Sequence, residues 1–240
     1  MSYLYNTFIF NPLYNALILL MDSFSWVDAG IAVIVLTIVV RLILFPLSKK
    51  AIITQVRMKE IEPALNKLKH EVKDKQQQAL KVMALYKEKG VNPFSSFLVL
   101  FIQLPIIYAL YSIFINSGLP VVKTSLLYGF VSVPIVSMHF LGQFDVGAPS
   151  VILSIIAALA QFFQLHYSVS SISTPSGSSS PQADMAQNMM KNMKYVFPFI
   201  VFFISYKISA VVALYWTVSS LFTLGQELVV RRHLKLHKPL

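Results

Sequence analysis

One residue of this sequence, Arg41, places a cation where polar chemistry is rare. It lies inside the apolar run from Ala29 to Ser48. About 20 helical residues span the ~30 Å hydrocarbon layer of a bilayer, so this run is long enough to cross a membrane. An arginine inside such a helix costs on the order of 3 kcal/mol and usually faces water, a polar partner or a cavity. Thr37 lies one turn earlier on the same face. The pair predicts a polar, cation-bearing site; the alternative is an arginine that extends to the inner surface.

The composition is typical of a polytopic membrane protein. The 240 residues are 56% apolar and 12% charged, and the mean hydropathy is +0.65, so one soluble core cannot hide the apolar runs. The chain contains no cysteine, which excludes disulfides, thiol catalysis and thiolate zinc sites. His139 and His166 lack ligand spacing, and neither paired carboxylates nor a phosphate-binding loop is visible. We therefore expect no metal, no cofactor and no catalytic residue.

The segment before the Arg41 helix, residues 1–28, contains an apolar stretch from Leu4 to Met21. Asn11 and Asn15 lie one turn apart in it, so one face of the helix is expected to be wet. We interpret this segment as an amphipathic helix that lies on the outer surface of the membrane.

The segment after it, residues 49–92, holds more than half of the 20 basic residues, an excess typical of the cytoplasmic side. Apolar residues at helical spacing on both sides of a polar break predict a helical hairpin whose apolar stripes pack together while its basic flanks face anionic lipids. The stripes are Ile61, Leu65, Leu68 and Val72, then Leu80, Met83 and Tyr86. No aromatic or glycine pattern for base contacts accompanies the charge, so a nucleic-acid partner is not indicated.

The later apolar segments predict further membrane crossings. Phe94 to Asn116 and Ser150 to Tyr167 are each long enough for one span, and a flexible linker follows the second. Tyr195 to Val230 is apolar for 36 residues, nearly twice what one crossing needs. If this run is two helices joined near Lys207 to Ala210, the chain crosses five times. The N-terminus then lies outside and the short basic tail, residues 231–240, lies in the cytoplasm.

A rival count remains open. It makes the apolar piece Leu126 to Leu141 a span and the final 36 residues one long helix. This count would move Lys191 and Lys194 to the outside, so the charge bias favours the five-span count.

Several blocks of residues occur in an order that covers nearly the whole chain. The first block is Thr37-Ile38-Val39-Val40-Arg41-Leu42-Ile43-Leu44-Phe45-Pro46-Leu47-Ser48, before the basic hairpin; the later blocks are Ala84-Leu85-Tyr86-Lys87, Val91-Asn92-Pro93, Ile102-Gln103-Leu104-Pro105, Ala109-Leu110-Tyr111, and Ala213-Leu214-Tyr215-Trp216-Thr217-Val218-Ser219 with Gln226. Together they closely resemble the YidC/Oxa/Alb family of membrane protein insertases. The resemblance implies an all-α core of five spans over residues 29–230, an outer interfacial helix and a cytoplasmic hairpin.

The resemblance also implies a function. Members of this family help other proteins enter the bilayer, alone or with the Sec translocon, through a hydrophilic groove that is open to the cytoplasm and to lipid. In this sequence the groove residues would be Arg41, Thr37, Gln103, Gln161, Gln164, Trp216 and Ser219. The implied partners are newly made membrane proteins, the lipid bilayer, the Sec translocon and the ribosome, and the expected form is a monomer in a bacterial plasma membrane.

The residues alone leave alternatives to this reading. From the residues alone, Trp216 and Tyr215 are interpreted as packing or interfacial aromatics, and the glutamines are equally consistent with bonds between helices. A small solute transporter or channel would also place an arginine in a polar cavity, although no internal repeat is visible. A membrane scaffold would need no groove at all.

The sequence departs from the family pattern in three places. Ile208-Ser209-Ala210-Val211 stands where the family usually turns with Phe-Pro-Ala/Ser-Gly, Val99 stands where proline is common, and Ser220 replaces a usual asparagine. The first departure predicts a looser turn before the last helix.

Overall fold

The computed structural model describes residues 3–24, 26–72, 74–91, 95–116, 118–169 and 181–236. The regular secondary structure of this part of the chain is helical apart from one short hairpin of strands, which agrees with the all-α class predicted from the sequence. Its helices are α1 (Tyr3–Ser23), α2 (Ala29–Ile43), α3 (Phe45–Glu71), α4 (Lys75–Glu88), α5 (Ser95–Tyr111), α6 (Val151–Val169), α7 (Pro181–Ile208) and α8 (Ala210–Leu236). Shorter elements are π-helical turns at Asn6–Phe10 and Ser112–Asn116, a 3-10 turn at Thr124–Leu126, and strands β1 (His139–Phe140) and β2 (Phe144–Asp145), which pair antiparallel.

The chain folds as two compact units. The first unit comprises Met1–Leu44, Leu100–Gln161 and Pro198–Phe222, and the second comprises Phe45–Val99, Phe162–Phe197 and Thr223–Leu240. Most of the predicted linker after residue 168, the Asn92-Pro93 pair and the last four residues of the tail lie outside the described residues.

Helices of membrane-spanning length and apolarity are present. Among the residues that the structure describes, two qualify outright, Tyr3–Ser23 and Val151–Ser168, and α2 with α3 makes a third if the pair is counted as one span despite the bend at Leu44. α1 therefore has the dimensions of a spanning helix, whereas the sequence suggested a helix lying on the surface.

The expectation that one face of α1 is exposed to water is wrong at Asn15. This side chain is only 3% exposed. Its Nδ2 donates to the carbonyls of Asn11 and Leu126, both at 2.9 Å, and its Oδ1 accepts from the Tyr128 N–H at 2.7 Å. Buried amides need such partners, because an unpaired polar group in an apolar interior is costly. The polar residue thus anchors the loop that follows Leu126 and does not face solvent.

The sequence suggested that the apolar run containing Arg41 is one continuous helix, but the structure divides it. α2 ends at Ile43, Leu44 forms a turn, and α3 begins at Phe45. Pro46 gives the physical reason, since it has no N–H to donate to the preceding turn and its ring fits best in the first turn of a helix. Arg41 consequently lies in the last turn of α2, not deep within a longer span.

In the second unit, α3 and α4 pack against each other as a hairpin. Its core consists of Ile61, Leu65 and Val91, with Met58, Val82, Leu85 and Tyr86 packed around it. The predicted second stripe is wrong at two positions, because Leu80 is 72% exposed and Met83 is 62% exposed. α4 carries apolar residues on two faces, and helical spacing alone does not say which face meets α3.

In the first unit, the connection between α5 and α6 is held by the helix ends. Asp28 caps α2 by accepting from the Ile31 N–H at 2.8 Å and also accepts from the Leu141 N–H at 3.1 Å. The Ala29 N–H donates to the Ser137 carbonyl at 2.9 Å. Residues 127–138 are not helical, so the rival count that made Leu126 to Leu141 a span is wrong.

The final 36-residue apolar run is divided at Ser209, as predicted. The turn is not loose, however: Ser209 is fully buried. The Ala210 N–H donates to the Ala148 carbonyl at 2.8 Å, and the Val211 N–H donates to the Val146 carbonyl at 3.0 Å. These bonds satisfy the first N–H groups of α8, which an isolated helix would leave unpaired. Tertiary contacts thus stabilise a turn that lacks the expected glycine and proline.

Candidate functional site

Arg41 is buried in the first unit, where only 8% of the residue is exposed. One of its terminal nitrogens, Nη2, donates to Gln103 Oε1 at 2.9 Å and also to Ser219 Oγ. Gln103 comes from α5 and Ser219 from α8, so three helices bring these side chains together. The sequence analysis named all three residues, and the structure places them in direct contact.

Tyr215 completes this cluster. Gln103 Nε2 donates to the Tyr215 hydroxyl at 2.5 Å, and the same hydroxyl hydrogen bonds to Ser219. Arg41, Gln103, Tyr215 and Ser219 therefore form a closed cycle of hydrogen bonds, here called the Arg41 cycle. Sequence reasoning treated Tyr215 as a packing residue. Its spacing of four from Ser219 was the available signal, because residues four apart on a helix share a face.

The Arg41 cycle holds its cation with neutral partners. Among the described residues, the ion pairs are Lys89 with Glu88 and Arg231 with Glu227, and neither involves Arg41. A guanidinium offers five N–H donors in a planar fork that matches a carboxylate. The bonds found in this part of the chain use only Nη2, which leaves Nε and Nη1 for a visiting group. Such a site can bind an anionic or strongly polar group.

Thr37 lies close to the cycle but is not bonded into it. Its hydroxyl donates to the Val33 carbonyl at 2.6 Å on its own helix, and the residue is 2% exposed. With Tyr215 it lines a small cavity whose other walls are apolar side chains: Leu13, Leu36, Val40, Ile106 and Leu110. The space beside the cycle is thus mainly apolar, with a polar edge.

The other predicted groove residues lie in different surroundings. Ser220 Oγ donates to Gln161 Oε1 at 3.0 Å, which joins α8 to α6 within the first unit. Trp216 is buried on α8 one turn before Ser220. Gln164 belongs to the second unit. Sequence reasoning noted Ser220 only as a departure from the family pattern and missed its bond to Gln161.

A second arginine, Arg231 in the second unit, is partly buried and has a carboxylate partner. Arg231 Nε donates to Glu227 Oε1 at 3.1 Å, and Nη2 donates to the same oxygen. Glu227 is 1% exposed, and Ser168 also hydrogen bonds to it. The Arg231 guanidinium lies over the Tyr167 ring, 5.4 Å from its centroid. The sequence signal for this pair was again a spacing of four on one helix.

These features define a class of protein. The chain is an all-α membrane protein with helices of spanning length, and its first unit holds a buried arginine that has no carboxylate partner among the described residues. Comparison with known proteins extends this description. Residues 19–238 match the family model described as 60Kd inner membrane protein.

Relatives that share one name occur in several bacteria. The chain is 31% identical over 204 residues to the membrane protein insertase YidC of Clostridium tetani, covering 85% of this chain and 81% of the relative. It is 32% identical to the protein of that name from Fusobacterium nucleatum, covering 85% and 86%. It is 32% identical over 245 residues to the Staphylococcus aureus protein, covering 97% and 74%. The chain therefore belongs to the YidC/Oxa family of membrane protein insertases, as the sequence blocks had indicated.

Proposed function

We propose that this chain is an insertase that assists membrane proteins into the bilayer, and that the Arg41 cycle holds the polar flank of an entering protein. The observation that carries the proposal is a buried arginine whose partners in the described structure are all neutral. An arginine paired with its own carboxylate would have little attraction left for a guest. Two opposite unit charges 4 Å apart attract by about 4 kcal/mol at an effective dielectric near 20. This attraction is enough to hold an acidic flank briefly.

The larger driving force belongs to the guest. A spanning segment of about 20 apolar residues gains roughly 6 to 12 kcal/mol on entering the membrane, at about −0.3 to −0.6 kcal/mol for each residue. The insertase then lowers a barrier by binding and guiding, with no covalent step and no nucleotide. Thr37, Gln161 and Trp216 of the first unit are proposed as further lining of a groove that is open to the cytoplasm and to lipid.

The proposed topology has five spans, formed by α2, α5, α6, α7 and α8, with α1 on the outer side. Two features of the fold support this count: the division at Ser209 and the non-helical connection after Leu126. The distribution of charge also supports it, because every basic residue except Arg41, Lys123 and Lys207 then lies on the cytoplasmic side. The hydrogen bonds between residues 126–148 and the starts of α2 and α8 support closure of the groove at the outer end. The proposed setting is a bacterial plasma membrane, where the chain works as a monomer, alone or with the Sec translocon and ribosomes.

The topology is tested with a single cysteine. Because the chain has no cysteine of its own, Ser176→Cys introduces the only thiol. In oriented membranes, an impermeant thiol reagent should label it only from the cytoplasmic side. Labelling only from outside would contradict the five-span count.

The function is tested in lipid vesicles that contain the purified protein. The guest is a single-span protein with an acidic translocated tail, and the measured quantity is its initial insertion rate. Arg41→Ala should lower this rate at least tenfold, since it removes the attraction estimated above at about 4 kcal/mol. Arg232→Ala, which removes an exposed arginine from α8, is the matched control and should insert the guest normally.

The same vesicles separate the alternative functions. A trapped small dye should stay inside, whereas a transporter or channel would release a solute of suitable size. A scaffold would fail to accelerate insertion. Unchanged insertion by Arg41→Ala would contradict the proposed role of Arg41 for this guest.

A further inference from the structure

We propose that Tyr215 is a positioning residue for Arg41, which rests on the proposed function of the Arg41 cycle. Tyr215 is 2% exposed, so its hydroxyl is not an ordinary contact for solvent. The hydroxyl is the only polar side-chain atom that Tyr215 brings to the site, and it bonds to both of the neutral residues that hold the guanidinium. Its role is therefore to act through these two residues.

The first effect of the hydroxyl is to fix the orientation of the Gln103 amide. An amide presents an acceptor oxygen on one side and a donor nitrogen on the other. Tyr215 accepts from Gln103 Nε2 at 2.5 Å, which turns Oε1 toward Arg41 Nη2 at 2.9 Å. Without the hydroxyl, the amide nitrogen in the described structure keeps only its long contact with Ser219 Oγ, at 3.4 Å, to hold this orientation. The opposite orientation would place an N–H group against the cation.

The second effect concerns Ser219. Its oxygen has two lone pairs, and it receives a bond from Arg41 Nη2 while it also bonds to Tyr215. Tyr215 and Ser219 share one face of α8, four residues apart. The Tyr215 hydroxyl thus holds both acceptors of Arg41 Nη2 in place, so the guanidinium is fixed through this one nitrogen. A guanidinium whose orientation is already fixed loses less conformational entropy when a guest binds, and preorganisation of this kind increases affinity.

The test removes one oxygen atom. Tyr215→Phe keeps the aromatic ring and should lower the insertion rate of the acidic-tail guest about fivefold, the size expected from the loss of one hydrogen bond. Tyr108→Phe is the matched control, because Tyr108 is 44% exposed on α5 and its hydroxyl makes no contact with the cycle among the described residues. This control should insert the guest at the wild-type rate.

A double variant distinguishes positioning from a merely structural role. If Tyr215 acts through Arg41, then Tyr215→Phe should cause no further loss in the Arg41→Ala background. An equal loss in both backgrounds would overturn the proposal, and so would a normal rate for Tyr215→Phe alone. If Arg41→Ala inserts the guest normally, the proposed function fails with it; if only Tyr215→Phe is normal, this inference alone fails.

Folding of the variants is followed by thermal unfolding in the same detergent. If Tyr215→Phe unfolds much earlier than the parent, Gln103→Met breaks the same cycle at another member and takes its place. It should also lose insertion only when Arg41 is present. A loss that does not depend on Arg41 would overturn the proposal.

Discussion

Buried Arg41 in the first unit and partly buried Arg231 in the second unit differ in how their charge is compensated. In the second unit, Nε and Nη2 of Arg231 both donate to the same carboxylate oxygen of Glu227, and the guanidinium lies over the Tyr167 ring. In the described part of the chain, Arg41 of the first unit is held by Gln103 and Ser219, which are neutral. Among the described residues, the charge of Arg231 has a carboxylate partner and the charge of the more deeply buried Arg41 has none.

This difference separates a structural arginine from one that can bind a guest. A buried ion pair is costly to break, because the remaining charge has neither water nor a partner. An arginine with neutral partners keeps most of its electrostatic attraction for an acidic group that arrives later. The contrast predicts that changes at Arg231 affect stability, and changes at Arg41 affect insertion.

The largest effect is expected for Arg231→Met. The substitution leaves Glu227 buried without its cation and should lower the free energy of unfolding by about 3 to 5 kcal/mol. Denaturant unfolding in detergent measures it. The double variant Glu227→Leu with Arg231→Met should recover most of the loss, because an apolar pair needs no compensating charge. A single variant as stable as the parent would remove the contrast between the two arginines.

A smaller loss of stability is expected for Arg41→Ala. Its partners are neutral, so the substitution removes hydrogen bonds but leaves no buried charge, and the cost should be about 1 to 2 kcal/mol. The same unfolding experiment compares it directly with Arg231→Met. If both substitutions destabilise the chain equally, Arg41 is also a structural arginine.

The guest provides the next test of the contrast. Replacing the acidic residues of its translocated tail by asparagine and glutamine should slow insertion about tenfold, which corresponds to about 1.4 kcal/mol. Arg41→Ala should then have no additional effect, since the charge that it attracts is gone. Insertion rates of the two guests by the two proteins give the comparison. A full effect of Arg41→Ala on the neutral guest would show that Arg41 does not act through the acidic tail.

The smallest effect is expected for Ser220→Ala. This change removes the donor to Gln161 Oε1 and should cost about 1 kcal/mol of unfolding free energy, the usual value for a neutral hydrogen bond. Insertion of the acidic-tail guest should stay at the wild-type rate, because Ser220 does not belong to the Arg41 cycle. A clear loss of insertion would extend the functional site to this second polar contact.

Much of the fold followed from the sequence pattern, and the exceptions share one cause. Apolar runs and helical spacing predicted an all-α chain, the break near Lys207 to Ala210 and the unusual position of Arg41. The pattern failed where a residue had two possible surroundings. Asn15 was expected in water but is buried against Leu126 and Tyr128, and Leu80 was expected in the hairpin core but is exposed.

The candidate site was predicted only in part for the same reason. Arg41, Gln103 and Ser219 were identified because polar residues are costly in apolar helices and because the family blocks contain them. Tyr215 was not identified, since a tyrosine in an apolar helix is also a common packing residue. Only its contacts with Gln103 and Ser219 distinguish the two roles.

Composition and periodicity were enough to specify a helical membrane protein with a cation placed among apolar residues, because hydrophobic burial and helix geometry act on neighbours along the chain. The closing of the hydrogen-bond cycle around that cation depends on α2, α5 and α8, which come from distant parts of the sequence. The pairing of Arg231 but not Arg41 with a carboxylate was likewise decided by packing. Electrostatic compensation depends on distances in space, which helical spacing gives only within a single helix.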